Sequence, residues 1–386
     1  MAALRKAFGS LPTWAGIVLF AAFMIAVPKL QPIIGDGWLP ITTVILCVIY
    51  AVFALGLNIV VGYAGLLDLG YVAFFLIGAY TAAWLMSGFF YQTNFHFLSA
   101  AFPSAFGIHI SFWIVLVIAA LHAAIWGVII GVPTLRLKSD YLAIVTLGFG
   151  EILPQVFRNG NGIGGFNLTN GTIGIGPVDS VGMGILGRLP LVPKTVSPFD
   201  FTVRYYIILA LGALFIFVSL RLRVGKLGRA WLAIREDELA ASLMGVPLMK
   251  TKLASYAVGA AIGGAVGTFY AITVGTVNVD TFTFQFSIIV LAMVIVGGLG
   301  NVWGVILGAA LIAWFNYSGL TQIGNTINSR FGTAYDIPRY QFLCFGLVLV
   351  LMMLYRRDGL LPAARQRRVR AVESEIEKVG TAEGTR

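Results

Sequence analysis

Long apolar runs, separated by short polar or glycine-rich breaks, dominate the chain. Between Ile41 and Leu135 the only formal charge is Asp68, and between Leu253 and Ser329 it is Asp280. A helix that crosses a bilayer needs about 20 predominantly apolar residues. That rule predicts ten spans, at about 14–34, 41–61, 68–88, 112–133, 140–158, 204–221, 253–274, 285–298, 303–320 and 340–355. The pattern therefore predicts an all-α, polytopic integral membrane protein with a transmembrane domain over 1–355 and a basic-then-acidic tail over 356–386. The apolar stretch after Arg5 and Lys6 reads as an uncleaved first span, because no small-x-small cleavage site precedes a polar mature start.

Composition strengthens that reading. Of 386 residues, 59% are hydrophobic and 11% charged, against about 25% charged in soluble domains. A net charge of +10 would suit nucleic acid, but the basic residues cluster beside apolar runs, where the positive-inside rule accounts for them. Membrane lipid, and no nucleic acid, is the expected partner of that charge. Arg5, Lys6, Arg136, Lys138, seven residues in Arg221–Lys252 and eight in Arg356–Arg386 make up 19 of the 26 Lys and Arg. This bias puts both termini and Arg221–Lys252 in the cytoplasm of a bacterial inner-membrane protein, and the Gly/Asn/Pro-rich loop Arg158–Val203 on the periplasmic side. Cys47 and Cys344 lie in apolar runs, with no metal or disulfide spacing. His96 and His109 flank an outer loop and form no ligand pair, and His122 reads as a satisfied helix histidine. No metal or cofactor is expected.

Two glycine-interrupted segments stand out. The first, Ala54–Tyr71, carries Asn58, Gly62, Gly65, Asp68, Gly70 and Tyr71. It is either a tight hairpin with a wet Asp68, or a broken helix that lines a cavity, since irregular backbone at membrane depth must be buried in protein or face water. The second, Val296–Gly308, echoes it with Asn301 between two apolar runs. Paired interrupted segments point to a transport path. Glu151, just before Pro154, joins the path candidates, with solvation near the outer end as the alternative. Ser255, Gly259, Gly263, Gly267 and Ala271 form a stripe of small residues; it suits internal helix packing or a seam with a second membrane subunit.

The stretch Arg221–Lys252 is the long charged, helix-forming segment between two apolar blocks. Within it, Glu238, Ala240, Ala241 and Gly245 have the E-x-A-A-x-x-x-G spacing that resembles the EAA loop of ABC-transporter permeases, the helix that docks on an ATPase subunit. At about 100° per residue, Glu238, Ala241, Ser242 and Gly245 share a small, polar face suited to an ATPase groove. Leu239, Leu243 and Val246 fall on an apolar arc expected to pack on the membrane domain. No G-x-x-x-x-G-K-[ST] occurs, nor any hydrolase motif, so the chain is not read as an enzyme.

Over roughly 40–365 the chain resembles the LivM-type permeases of branched-chain amino-acid ABC transporters. The resemblance rests on ALGLNIVVGYAGLLDLGYVAFFLIGAY (54–80), GVPTLRLKSDYLAIVTLGFGEIL (131–153), GRAWLAIREDELAASLMGV (228–246) and IVLAMVIVGGLGNVWGVILGA (289–309), with YRRDGLLPAAR (355–365) as the ending. It implies import of leucine, isoleucine and valine released by a periplasmic binding protein, a second homologous permease, and two cytoplasmic ATPases. Urea permeases share the plan, but their first motif reads more like G-x-x-G-x-x-S-x-G-H, where this chain has GYAGLLDLGY. The long Arg158–Val203 loop departs from the family. Urea or another small polar solute is the alternative substrate. An ion-coupled carrier is the other alternative, with Asp68 and Glu151 as its only acidic candidates.

Overall fold

Apolar runs long enough for three turns become helices. The structure, a computed structural model, describes residues 24–29, 38–97, 106–137, 139–162, 164–181, 201–331, 336–356 and 359–361. Residues 24–29 are helical; the rest of the expected first span and most of the tail lie outside the described residues. The named helices are α1 (Ile41–Leu57), α2 (Val72–Leu85), α3 (Phe112–Thr134), α4 (Ser139–Arg158), α5 (Phe201–Val224), α6 (Lys226–Glu236), α7 (Glu238–Leu243), α8 (Leu248–Val274), α9 (Phe284–Gly297), α10 (Val302–Trp314), α11 (Leu320–Phe331) and α12 (Gln341–Tyr355).

Among the described residues six helical stretches are long and apolar enough to cross a membrane: Ile41–Tyr63, Phe112–Thr134, Phe201–Val224, Leu248–Val274, Val302–Phe331 and Ile337–Tyr355. The fold is that of an all-α, multi-pass membrane protein. Three span expectations need correction; one is the fifth, over α4, which is not among these six stretches. The third expected span opens at Val72, and α2 and α9 are both 14 residues long, about 21 Å, short of a hydrocarbon core of about 30 Å. The ninth is longer than expected: α10 continues through a π-turn, Phe315–Gly319, into α11, making a 30-residue element.

α8 lies at the centre, against α2 and α3, while α1 packs on α10 and α5. The small-residue stripe on α8 faces its own chain. A Cβ on Gly267 would sit 2.3 Å from the Phe75 carbonyl oxygen, and those on Gly259 and Gly263 would press on Val60 and Phe74.

A small sheet was not expected. β1 (Met86–Ser87), β2 (Asn94–Phe97) and β3 (Gly107–Ile110) pair in the order β1-β3-β2, with β1/β3 antiparallel and β2/β3 parallel. The four-residue strands are too short for their alternation to stand out in an apolar background. The sheet brings the two histidines together. His96 and His109 are cross-strand partners with rings stacked at 4.9 Å, and His109 Nδ1 lies 2.7 Å from Asp179 Oδ2. Burial pushes the Asp179 carboxyl above its ordinary range, and the His109 contact opposes that shift. The described part of the loop after α4 is packed in place. Ile175 bridges to Val277, and the Asp179 amide donates to the Met86 carbonyl at 2.7 Å.

Candidate functional site

α1 ends in a π-turn, Asn58–Tyr63, and residues 64–71 then run without regular structure to α2. This break lies against the interior of its neighbours. Leu69 donates its amide to Thr146 Oγ1 at 3.1 Å, and Thr146 is seven residues, about 10 Å, into α4. Tyr71 donates its hydroxyl to the Gly259 carbonyl at 2.6 Å, well inside α8. Each backbone donor released by the break needs a partner at such depth. Asp68 Oδ1 accepts from the Gly70 amide at 2.8 Å, Ser287 Oγ from Val72 at 3.3 Å, and the Val60 carbonyl from Leu66 at 3.1 Å. Gly70 is required by contact: a Cβ there would lie 2.1 Å from the Thr146 carbonyl oxygen.

Asp68 is therefore not wet. It is 3% exposed, and its Oδ2 has no hydrogen-bond partner among the described residues; the same is true of Asn58 Nδ2. The two glycine breaks, far apart in sequence, meet here. Asn58 Oδ1 accepts from the Gly300 amide at 2.9 Å, and a Cβ on Gly62 would lie 2.8 Å from the Gly300 nitrogen. Arg235, at the end of α6, reaches over both: its Nη1 donates to the Gly62 carbonyl, and its stem covers Gly65, whose φ is +72°. Asn301 does different work. Its Oδ1 caps α10 through the Trp303 amide at 3.2 Å, and its Nδ2 donates to the Leu361 carbonyl at 2.9 Å. Glu151 stands apart from this cluster, on the exposed side of α4.

The charged loop is ordered by its own side chains. Trp231 is fully buried and donates Nε1–H to the Thr251 carbonyl at 2.7 Å, which ties α6 to the start of α8. Asp237 Oδ1 caps α7 by accepting from Leu239 at 2.8 Å and Ala240 at 3.0 Å. Gly245, with φ +83°, ends α7: Val246 donates to the Ala241 carbonyl and Gly245 to that of Ser242, a Schellman turn that needs the left-handed region. Glu238 pairs at 2.6 Å with Lys252 of the same chain. The leucines of α7 are not packed on the membrane domain as expected, while Glu238, Ser242 and Gly245 of the small face are exposed. Ala241 is buried and Ala240 exposed, while Leu239, Leu243 and Met244 are 70%, 79% and 85% exposed. The ion pair and the Schellman turn hold α7 with Ala241 inward and the leucines outward, while Glu238, Ser242 and Gly245 stay exposed.

Sequence reasoning missed Arg235, Thr146, Ser287 and Gly300 as partners of the break. Nothing local marks Arg235, Thr146 or Ser287, and the glycine pattern that marks Gly300 does not say what it meets, since each acts across more than 70 residues. Asp237 was findable: an Asp just before a helix start is an N-cap signal.

A bundle of apolar helices that buries non-helical backbone between two interrupted elements, with an ordered charged loop at its edge, is a multi-pass membrane protein of the solute-permease kind. The chain belongs to the family described as branched-chain amino acid transport system / permease component, which matches residues 39–353. It is similar to the high-affinity branched-chain amino acid transport system permease protein LivM of Escherichia coli, with 36% identity over 90% of this chain and 75% of the relative. The probable branched-chain amino acid transport permease protein LivM of Methanocaldococcus jannaschii is 26% identical over 81% of this chain and 90% of the relative. The E. coli permease protein LivH is 22% identical over 81% and 91%. No solved structure matches the chain.

Proposed function

We propose that this chain is a permease subunit of an ATP-driven importer of leucine, isoleucine and valine. Family membership supports the substrate class, and one structural observation carries the mechanism: Arg235 of the charged loop is hydrogen-bonded to the Gly62 carbonyl at the point where the two glycine breaks meet. Movement of the loop is thereby transmitted to backbone within the bundle. In this reading the chain crosses the membrane ten times, with both termini and the loop in the cytoplasm. Two ATPase subunits drive the loop, a homologous permease completes the path, and a periplasmic binding protein delivers substrate. Similarity to proteins named LivM and LivH supports the permease pair. Glu238, Ala240, Ala241 and Gly245 build the coupling element, and the exposed Leu239, Leu243 and Met244 are the apolar surface an ATPase covers. Asn58, Gly62, Gly65, Asp68 and Tyr71 form the gate of the path, and Asn301 anchors its partner break.

The test is reconstitution. Co-expressed with two ATPases, a homologous permease and a binding protein, the chain should support ATP-dependent uptake of branched-chain amino acids, and no ATP hydrolysis should come from the chain alone. A preference for urea, or uptake that follows the proton-motive force while ATP is absent, would overturn the reading.

A further inference from the structure

The outward face of α4 is chemically unlike a lipid-facing surface. Its inner face is fixed by the break at 69–70, which lies on Thr146 and Gly150, and its end is held by the Arg158–Asp280 ion pair. That rotation leaves Glu151, Gln155 and Asn159 exposed in one row, with Ile152 and Val156 exposed beside them. Glu151 is seven residues, about 10 Å, from the Arg158 end of α4. In the ten-span reading proposed above, a carboxylate there would meet hydrocarbon at a cost, and such residues face a cavity or a partner. These five residues line an open, shallow groove on the outward face of α4 and just past its end.

Their chemistry is matched to one kind of solute. A free α-amino acid with an aliphatic side chain presents an ammonium, a carboxylate and a branched hydrocarbon. The groove offers a carboxylate in Glu151, an amide donor in Gln155, the second amide hydrogen of Asn159, whose Nδ2 also donates to the Gln155 carbonyl at 3.0 Å just past the helix end, and two branched aliphatic side chains in Ile152 and Val156. The polar row and the apolar row run side by side along α4, each with a four-residue repeat, so a zwitterion can lie with its charged head on one and its side chain on the other. The site also backs onto the gate, because Gly150 contacts Gly70 two residues from Asp68.

We propose that this face of α4 is a binding site for a zwitterionic aliphatic amino acid in transit, closed on its open side by the second permease subunit. The proposal rests on the transport reading above. Glu151 holds the ammonium, Gln155 and Asn159 the carboxylate, and Ile152 and Val156 contact the side chain.

The experiment uses the whole transporter in proteoliposomes, with Cys47 and Cys344 replaced by alanine and a single Gln155→Cys. Millimolar leucine or valine should slow maleimide alkylation several-fold, and aspartate should not. Alkylation of a Leu311→Cys control on α10 should be indifferent to amino acid. Adding Glu151→Gln should raise the leucine concentration for half-protection about tenfold, the loss expected for one charge-assisted hydrogen bond. Equal alkylation with and without leucine, in a complex that imports leucine, overturns the site and leaves the transport reading standing. So does equal protection by aspartate. Failure of Gln155→Cys to react under any condition makes this face a sealed subunit seam, which also overturns it. A cysteine-replaced parent complex that imports no aliphatic amino acid overturns the transport reading itself.

Discussion

Replacing Arg235 with methionine removes the guanidinium while keeping a stem to cover Gly65. What is lost is the bond from Arg235 Nη1 to the Gly62 carbonyl, the direct link between the charged loop and the first glycine break. A hydrogen bond from a charged donor contributes about 1.5–3 kcal/mol net. Arg235 is exposed, so water competes for the donor and the low end, about 1.5 kcal/mol, applies. That corresponds to roughly a tenfold change in an equilibrium between coupled and uncoupled arrangements. The assay is amino-acid uptake and ATP hydrolysis measured on the same proteoliposomes. Arg235→Met should lower uptake per ATP about tenfold while the ATPases still co-purify with the permease, since α6 stays tied to α8 by Trp231 and Thr251. Arg235→Lys should fall between, because a lysine supplies charge without the planar fork. If Arg235→Met imports as much amino acid per ATP as the parent, coupling does not pass through Arg235, and the link from loop to gate is wrong.

Other predictions address stability, docking and orientation. Gly70→Ala forces a Cβ into the Thr146 carbonyl; overpacking of this kind costs about 1–3 kcal/mol, so the melting midpoint in detergent should fall by several degrees, and an unchanged midpoint would contradict the packed break. Leu239→Ala should leave protein yield unchanged because Leu239 is exposed, whereas Leu243→Asp should reduce ATPase co-purification on an affinity column; intact co-purification would remove the apolar patch from the docking surface. For orientation, an impermeant thiol reagent on whole cells should label Ile173→Cys, which is 82% exposed, and should not label Ser242→Cys. Gly174 is the poorer site, since its φ is +78° and a Cβ would lie 2.5 Å from the Val277 carbonyl oxygen. The reverse labelling pattern would invert the topology.

Particular elements show how far the sequence reaches. The apolar runs alone determine that this is a helical membrane protein, because a bilayer accepts few structures and each must satisfy its backbone within itself. The glycine breaks and the charged loop are equally legible: a polar or flexible interruption is conspicuous in an apolar field. Tertiary structure decided what those features touch. Asp68 is buried because α4 and α8 close over the break, and no local pattern encodes that closure. α2 and α9 are short because their interrupted ends turn into the same junction, which depends on the Asn58–Gly300 bond across 242 residues. The leucines of α7 point outward because an ion pair to Lys252 and the turn at Gly245 set its rotation, whereas helical periodicity groups residues on an arc without saying whether the rest of the protein covers it. The same limit applies to Glu151. Sequence can mark an acid within a span, but only the packing of Thr146 and Gly150 against the break determines that the acid looks outward, in line with two amides and beside two aliphatic side chains.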